Sequence, residues 1–165
     1  METLDRLIDT RELQAALEDL AKDIERGYKE KLLREDHRAT GQLLASIHAD
    51  VEVGGTTYAV VLHLEDYWKY LEEGTKPHWP PRSAILKWIE AKPVIPYPGK
   101  DGRIPSPESL AYLISRKISR VGTKGTHDLR ETTDAIIPYW KERLKEILGR
   151  TYGNYIESIV SFPQK

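Results

Sequence analysis

A chain of 165 residues with net charge −1, 39% hydrophobic and 31% charged side chains is long enough for one domain with a modest core. It has no cysteine, which excludes disulfide frameworks, thiolate zinc sites and cysteine nucleophiles. No apolar run reaches the roughly 18–20 residues that span a bilayer, and Met1-Glu2-Thr3-Leu4-Asp5 is acidic with no apolar stretch behind it, so neither a membrane span nor a signal peptide is expected.

Charge is segregated along the chain. Residues 1–50 are net −4, 51–80 net −3, 81–130 net +6 and 131–165 neutral. This pattern suits a chain that meets copies of itself or an oppositely charged partner, and equally a fold whose two charged regions neutralise each other.

The first element reads as a helix. Leu13, Leu17, Leu20, Ile24 and Tyr28 recur every three or four residues, with Ala16 and Leu32 on the same side. Glu18, Asp19, Lys22, Asp23, Glu25 and Arg26 fill the solvated face, and Thr10 is placed as N-cap. The stripe reads as core packing in preference to a surface for a partner helix. Next, Leu43, Ala45, Ile47, Ala49, Val51 and Val53 alternate with Leu44, Ser46, His48, Asp50, Glu52 and Gly54, the pattern of a half-buried strand. Gly54-Gly55 signals a two-residue turn, and Tyr58, Val60, Leu62 and Leu64 alternate beyond it. With the two glycines as the loop, Val51 pairs with Tyr58, Ala49 with Val60, Ile47 with Leu62 and Ala45 with Leu64. A slip of one residue would put these sets on opposite faces. A lone hairpin is marginal in water, so helices or further strands must cover it, and its edges suit pairing with a neighbouring subunit.

Residues 66–73 predict one or two helical turns, stopped by Gly74. The string Tyr70-Leu71-Glu72-Glu73-Gly74-Thr75-Lys76-Pro77-His78-Trp79-Pro80-Pro81 follows. Its three prolines forbid regular helix or central strand from Lys76 to Pro81. Ser83 is placed to cap a helix to about Ala91 that buries Ile85, Trp88 and Ile89. Residues 92–106 form a Pro-rich loop, with an extended piece at Val94-Ile95 and a turn at Lys100-Asp101-Gly102. Ser106-Pro107-Glu108 starts another helix with cap, proline and acid in sequence. Leu110, Leu113, Ile114, Ile118 and Val121 share one face of it, Gly122 ends it, and Arg116, Lys117, Arg120 and Lys124 make its far end basic. Thr123 to Thr133 reads as irregular. A long C-terminal helix then carries Ile137, Trp140, Leu144, Ile147, Leu148, Tyr155 and Ile159 in period, with Pro138 near its first turn. Gly149 and Gly153 weaken it by about 1 kcal/mol each relative to Ala. The expected fold class is α+β: a sheet based on an antiparallel β-hairpin, packed by an N-terminal helix, two central helices and a long C-terminal helix, in a single domain over residues 1–165.

Two blocks carry a family resemblance: Glu73-Gly74-Thr75-Lys76-Pro77-His78 and Ile118…Gly122-Thr123-Lys124-Gly125, with the Trp88 helix between them. Together with the N-terminal helix and the Gly-turn hairpin in the same order, they make the chain resemble the neck or tail-completion (tail-to-head joining) proteins of long-tailed bacteriophages, over residues 10–160. The resemblance implies an α+β subunit that assembles with itself into a ring, often a hexamer, between the head connector and the tail terminator. It implies a non-enzymatic adaptor with no cofactor, placed in the virion and in host cytoplasm during assembly. The chain departs from the pattern after Gly125-Thr126, where the family shows a Phe-rich element and this sequence has His127-Asp128-Leu129-Arg130.

A Pro-rich loop loses little entropy on docking, and an aromatic anchor supplies contact area. The expected partner-contact loop is therefore Lys76, His78, Trp79 and Pro80, and the expected charged subunit interface is Arg116, Arg120 and Lys124. Trp79 packed back over its own core beside Trp88 is the plainer reading of the same loop. No catalytic or metal-binding residues are assigned. His48 and His63 fall as diagonal neighbours on the polar face of the hairpin, about 7 Å apart at the backbone, with Asp50 or Glu65 nearby, and read as ordinary solvated residues. Glu72 and Glu73 beside His78 could be drawn as an acid–base group, but adjacent carboxylates on one turn point apart. There is no phosphate-binding glycine loop and no nucleophile elbow. The competing reading is a small nucleic-acid-binding protein using the basic 81–130 segment, for which proximity to DNA without sequence readout is the expectation. A small hydrolase using His78 or Glu73 is a third.

Overall fold

The computed structural model describes residues 10–37, 41–55, 57–92, 94, 96–98 and 102–160, with the side chains of 154–160 excepted. Among them are six helices and four strands: α1 (Arg11–Arg34), α2 (Gln42–Ser46), β1 (His48–Gly54), β2 (Thr57–His63), α3 (Trp68–Glu73), β3 (Gly74–Thr75), α4 (Arg82–Ala91), α5 (Pro107–Val121), β4 (Thr123–Lys124) and α6 (Asp128–Val160). The strands make two antiparallel pairs, β1–β2 and β3–β4, so the architecture is mixed helix and sheet as expected. The chain divides into two compact units, each assembled from separate stretches: Met1–Lys29, Ile47–His63 and Glu131–Lys165 in the first, Glu30–Ser46 and Leu64–Arg130 in the second.

The core of the first unit is made by α1 and α6. Ala16, Leu20 and Ile24 are buried with Trp140 and Ile147, and Leu13, Leu17, Val60, Leu62, Ile136 and Leu144 pack around them. Burying each large apolar side chain contributes about 1.5–3 kcal/mol. The buried α1 positions step by four residues, so the helix buries the stripe that its periodicity predicts. Gly27 lets α6 approach closely, because a Cβ there would lie 3.0 Å from both Ile136 Cδ1 and Thr132 Cγ2. Trp140 Nε1 donates to Asp23 Oδ2 at 3.0 Å, which satisfies the one polar atom that this buried ring carries. Thr10 immediately precedes α1, and its carbonyl accepts from Gln14 N–H.

The β1–β2 hairpin forms, but in a different register from the one expected. Val51 pairs with Val60, Ala49 with Leu62 and Val53 with Tyr58, and Gly54 lies inside the ladder opposite Thr57. The pairing is displaced by two residues. A two-residue displacement keeps every side chain on its face, so apolar alternation alone could not tell the two registers apart. Gly55, at φ 61°, supplies the left-handed turn position. Residues 43–46 are not strand: they lie in α2, where Leu43 is buried.

The C-terminal helix starts earlier than its periodicity suggested, at Asp128, so residues 128–133 are helical and Pro138 lies in the helix interior. Pro138 has no N–H to give the carbonyl of Asp134. Both residues are exposed, so water can satisfy that carbonyl. Ile137, expected in the core, is also exposed. The readings of Tyr155 and Ile159 lie outside the described side chains.

In the second unit, α4 packs against α5. The α5 start is as expected: Ser106 Oγ accepts from Ser109 N–H at 3.3 Å with Pro107 in the first turn. Of its expected apolar face, Leu110, Ile114 and Ile118 are half-buried, while Leu113 and Val121 face outward, and the fully buried positions are Ala111 and Ser115. The α4 helix begins one residue before Ser83, with Pro81 at the cap position and no side-chain cap. None of its residues is fully buried; Ile85 and Ile89 are half-buried and Trp88 is exposed, so that core expectation is corrected too. The extended piece at Val94-Ile95 and the turn at Lys100-Asp101-Gly102 fall partly outside the described residues. No helix among the described residues is long and apolar enough to cross a membrane.

Candidate functional site

The two sequence blocks that carry the family resemblance are about 45 residues apart along the chain, and the second unit brings them together. Gly74 pairs with Lys124 and Thr75 with Thr123. The Thr75 and Thr123 hydroxyls lie 3.0 Å apart, and Thr123 N–H donates to Thr75 Oγ1 at 3.2 Å. Three glycines make this approach possible. A Cβ on Gly74 would lie 2.2 Å from Thr123 O, one on Gly122 1.9 Å from Thr75 O, and one on Gly125 2.3 Å from Glu72 O. Gly74 and Gly122 also end α3 and α5 at positive φ, 77° and 72°, each with its N–H returned to the helix it terminates. The same glycines thus stop two helices and let their ends meet backbone to backbone.

Glu72 locks this junction to the start of α6. It is buried, and its carboxylate accepts from Leu129 N–H at 2.9 Å and from Arg130 N–H at 3.0 Å. Both amides belong to the first turn of α6, where N–H groups have no acceptor within the helix and a negative charge is favoured by the helix dipole. Thr126 N–H and His127 N–H donate to the carbonyls of Leu71 and Glu72. Asp128, buried at the first turn, meets His37 Nδ1 at 2.6 Å. The His127-Asp128-Leu129-Arg130 stretch, where the chain departs from the family pattern, is therefore a capped helix start.

From this junction the Pro-rich loop projects. His78 Nδ1 sits 2.9 Å from Lys76 O, closing a local turn. Trp79 is 54% exposed. Its ring lies 6.0 Å from that of Tyr112 on α5, at a tilt of 58°. The Arg82 guanidinium stands 6.0 Å over the same Tyr112 ring and reaches Glu108 O at 3.3 Å. Trp79 is thus stapled by one edge and open on the other. The observed ring contact of Trp79 is with Tyr112, in place of the expected packing beside Trp88. Pro80 is buried, so it anchors the loop and offers no contact surface.

Of the residues expected at the interface, Lys76, His78 and Trp79 are exposed together in the loop, and Arg116 and Arg120 are exposed one turn apart on α5. Lys124 is exposed on β4, opposite Gly74. Tyr112, Leu113 and Val121 are exposed on α5, the same helix as the two arginines, and Tyr70, Tyr97 and Ile104 are exposed elsewhere in the unit. Tyr112 and Arg82 escaped sequence reasoning, since nothing in their local pattern distinguishes them from ordinary surface residues. The result is a surface of mixed aromatic and cationic character, with no carboxylate–histidine pairing among Glu72, Glu73 and His78. Glu72 is committed to the helix N-terminus and His78 to its own loop. Comparisons with protein-family models, with curated proteins and with solved structures give no match to this chain.

Proposed function

We propose that this chain is a structural protein of the bacteriophage neck, a tail-completion subunit that assembles into an oligomeric ring and joins the head connector to the tail. It works as an adaptor, without catalysis or cofactor, in the virion and in host cytoplasm during assembly. The observation that carries the reading is the β3–β4 junction. The two blocks on which the family resemblance rests are a single structural feature, held by Gly74, Gly122 and Gly125, and that feature joins the root of the Trp79 loop to the strand that follows the basic end of α5. Exposed aromatic rings interleaved with arginine are the composition of protein-contact surfaces. The β1–β2 ribbon adds a second route to self-assembly, because neither strand has a further strand partner among the described residues.

The test is mass spectrometry of purified particles or induced prophage lysate, together with electron microscopy of a deletion strain. Presence of the protein in the particle, with filled heads and separate tails in the deletion, is the expected result. Normal particles that lack the protein would rule out the joining role. The basic segment would then be tested for nucleic-acid binding, where a steep, sequence-independent salt dependence is the signature.

A further inference from the structure

The displaced register of the hairpin changes the meaning of its histidines. His48 and His63 are direct cross-strand partners. Their rings are stacked with centroids 6.1 Å apart and planes 20° apart. Asp50 and Glu52 follow His48 at two-residue steps and therefore share its face of the ribbon. Asp50 Oδ2 lies 3.3 Å from His63 Nε2 and 3.7 Å from His48 Nε2, so one carboxylate oxygen is held between two imidazole nitrogens. Donor atoms of Asp50, Glu52 and His63 all lie within 4.8 Å of one another.

Three further features make this more than a surface ion-pair cluster. The 3.3 Å separation matches the edge of a tetrahedron with metal–ligand bonds of about 2.0–2.1 Å, which is about 3.3–3.4 Å. The other nitrogen of His48, Nδ1, faces Glu25 Oε2 at 3.5 Å. Glu25 is itself held by Lys29 Nζ at 2.6 Å and by Ala49 N–H at 3.0 Å. A carboxylate on the far nitrogen of an imidazole fixes ring orientation and raises its basicity as a ligand. Finally, Asp50 Oδ1 is shielded from solvent and has no hydrogen-bond partner among the described residues, although a buried carboxylate oxygen ordinarily has one.

We propose that His48, His63 and Asp50, with Glu52 at the rim, bind one divalent transition-metal ion of the zinc class. Two imidazole nitrogens and one or two carboxylates form a donor set suited to Zn²⁺, Co²⁺ or Ni²⁺. Mg²⁺ and Ca²⁺ require a larger, all-oxygen shell. The ion ties the open end of β1 to the open end of β2 and removes the charge of Asp50. The site shares no residue with the Trp79 loop and does not depend on the proposed neck function.

The experiment uses the full-length, tag-free chain stripped with chelator and titrated at neutral pH with ZnSO₄ by calorimetry, with CoCl₂ by visible absorption, and with MgCl₂ for comparison. The expected result is one Zn²⁺ per chain, a tetrahedral Co²⁺ spectrum, and no Mg²⁺ binding. His63→Asn and Asp50→Asn should each weaken Zn²⁺ binding at least tenfold, and Glu25→Gln roughly tenfold through the orientation of His48. His78→Asn and His127→Asn should leave it unchanged. In case a variant misfolds, the imidazole proton resonances of the parent protein give an independent reading: His48 and His63 should shift on adding Zn²⁺, and His37, His78 and His127 should not. Undiminished Zn²⁺ affinity in His63→Asn, equal binding of Mg²⁺, or shifts confined to other histidines would overturn the proposal.

Discussion

Replacing Glu72 tests the junction most directly. Its carboxylate is buried and bonds the N–H groups of Leu129 and Arg130, the second and third residues of α6. In Glu72→Ala both amides lose this charged acceptor and the helix start loses a nearby negative charge. A hydrogen bond to a charged acceptor contributes about 1.5–3 kcal/mol net, and two bonds sharing one carboxylate are less than additive. The expected loss is about 3–4 kcal/mol, a large share of the roughly 5–15 kcal/mol that stabilises a domain. At about 2–4 °C per kcal/mol the melting temperature should fall by roughly 6–16 °C. Glu72→Gln retains one accepting oxygen but turns an NH₂ towards the second donor, and should lose about half as much. The control is Glu73→Ala, an exposed neighbour on the same turn, expected within about 0.5 kcal/mol of the parent. Urea titration followed by circular dichroism gives the energies, and amide exchange at Leu129 and Arg130 localises them. If Glu72→Ala is as stable as Glu73→Ala, or if exchange at those two amides is unchanged, the capping argument is refuted.

Three other outcomes can be checked alongside. Gly122→Ala places a Cβ 1.9 Å from Thr75 O at φ 72° and should cost at least about 3 kcal/mol in a thermal melt, whereas Gly149→Ala, with nothing within 4 Å, should stabilise α6 by about 0.5–1 kcal/mol. The Glu25 carboxyl is held below its ordinary value of 4.5, chiefly by the hydrogen bond from Lys29 and next by that from Ala49 N–H. A lowered folded-state pKa adds stability above the unfolded value and loses it as pH falls through the lower folded value, so Glu25→Gln should flatten the acid limb of stability below pH 4.5 and leave its shape above that unchanged. Charge reversal at Arg116 and Arg120, both exposed on α5, should weaken ring formation measured by light scattering or negative-stain microscopy without lowering the melting temperature; rings that form normally would remove these residues from the interface.

Features with a local cause are legible in the residues alone. The stripe of α1 follows from helical periodicity, and Ala16, Leu20, Ile24, Tyr28 and Leu32 are buried accordingly. The Ser106-Pro107 start and the Gly74 and Gly122 stops follow from cap chemistry that needs only neighbouring residues. The existence of a hairpin follows from alternation and a glycine turn. Wherever a distant partner enters, the outcome depends on how the chain packs. The hairpin register shifts by two because face alternation has a period of two and permits either pairing, and that shift sets His48 directly opposite His63. The start of α6 lies ahead of its apolar repeat because Glu72, more than fifty residues earlier, supplies the acceptor that its first N–H groups lack. The fully buried positions of α5 are Ala111 and Ser115, with Leu110, Ile114 and Ile118 only half-buried, because the closeness of approach by other elements is not written in the helix's own period. The roles of Glu72 and Glu73, identical neighbours in sequence, separate for the same reason: one faces a helix end brought to it by the fold, and the other faces water.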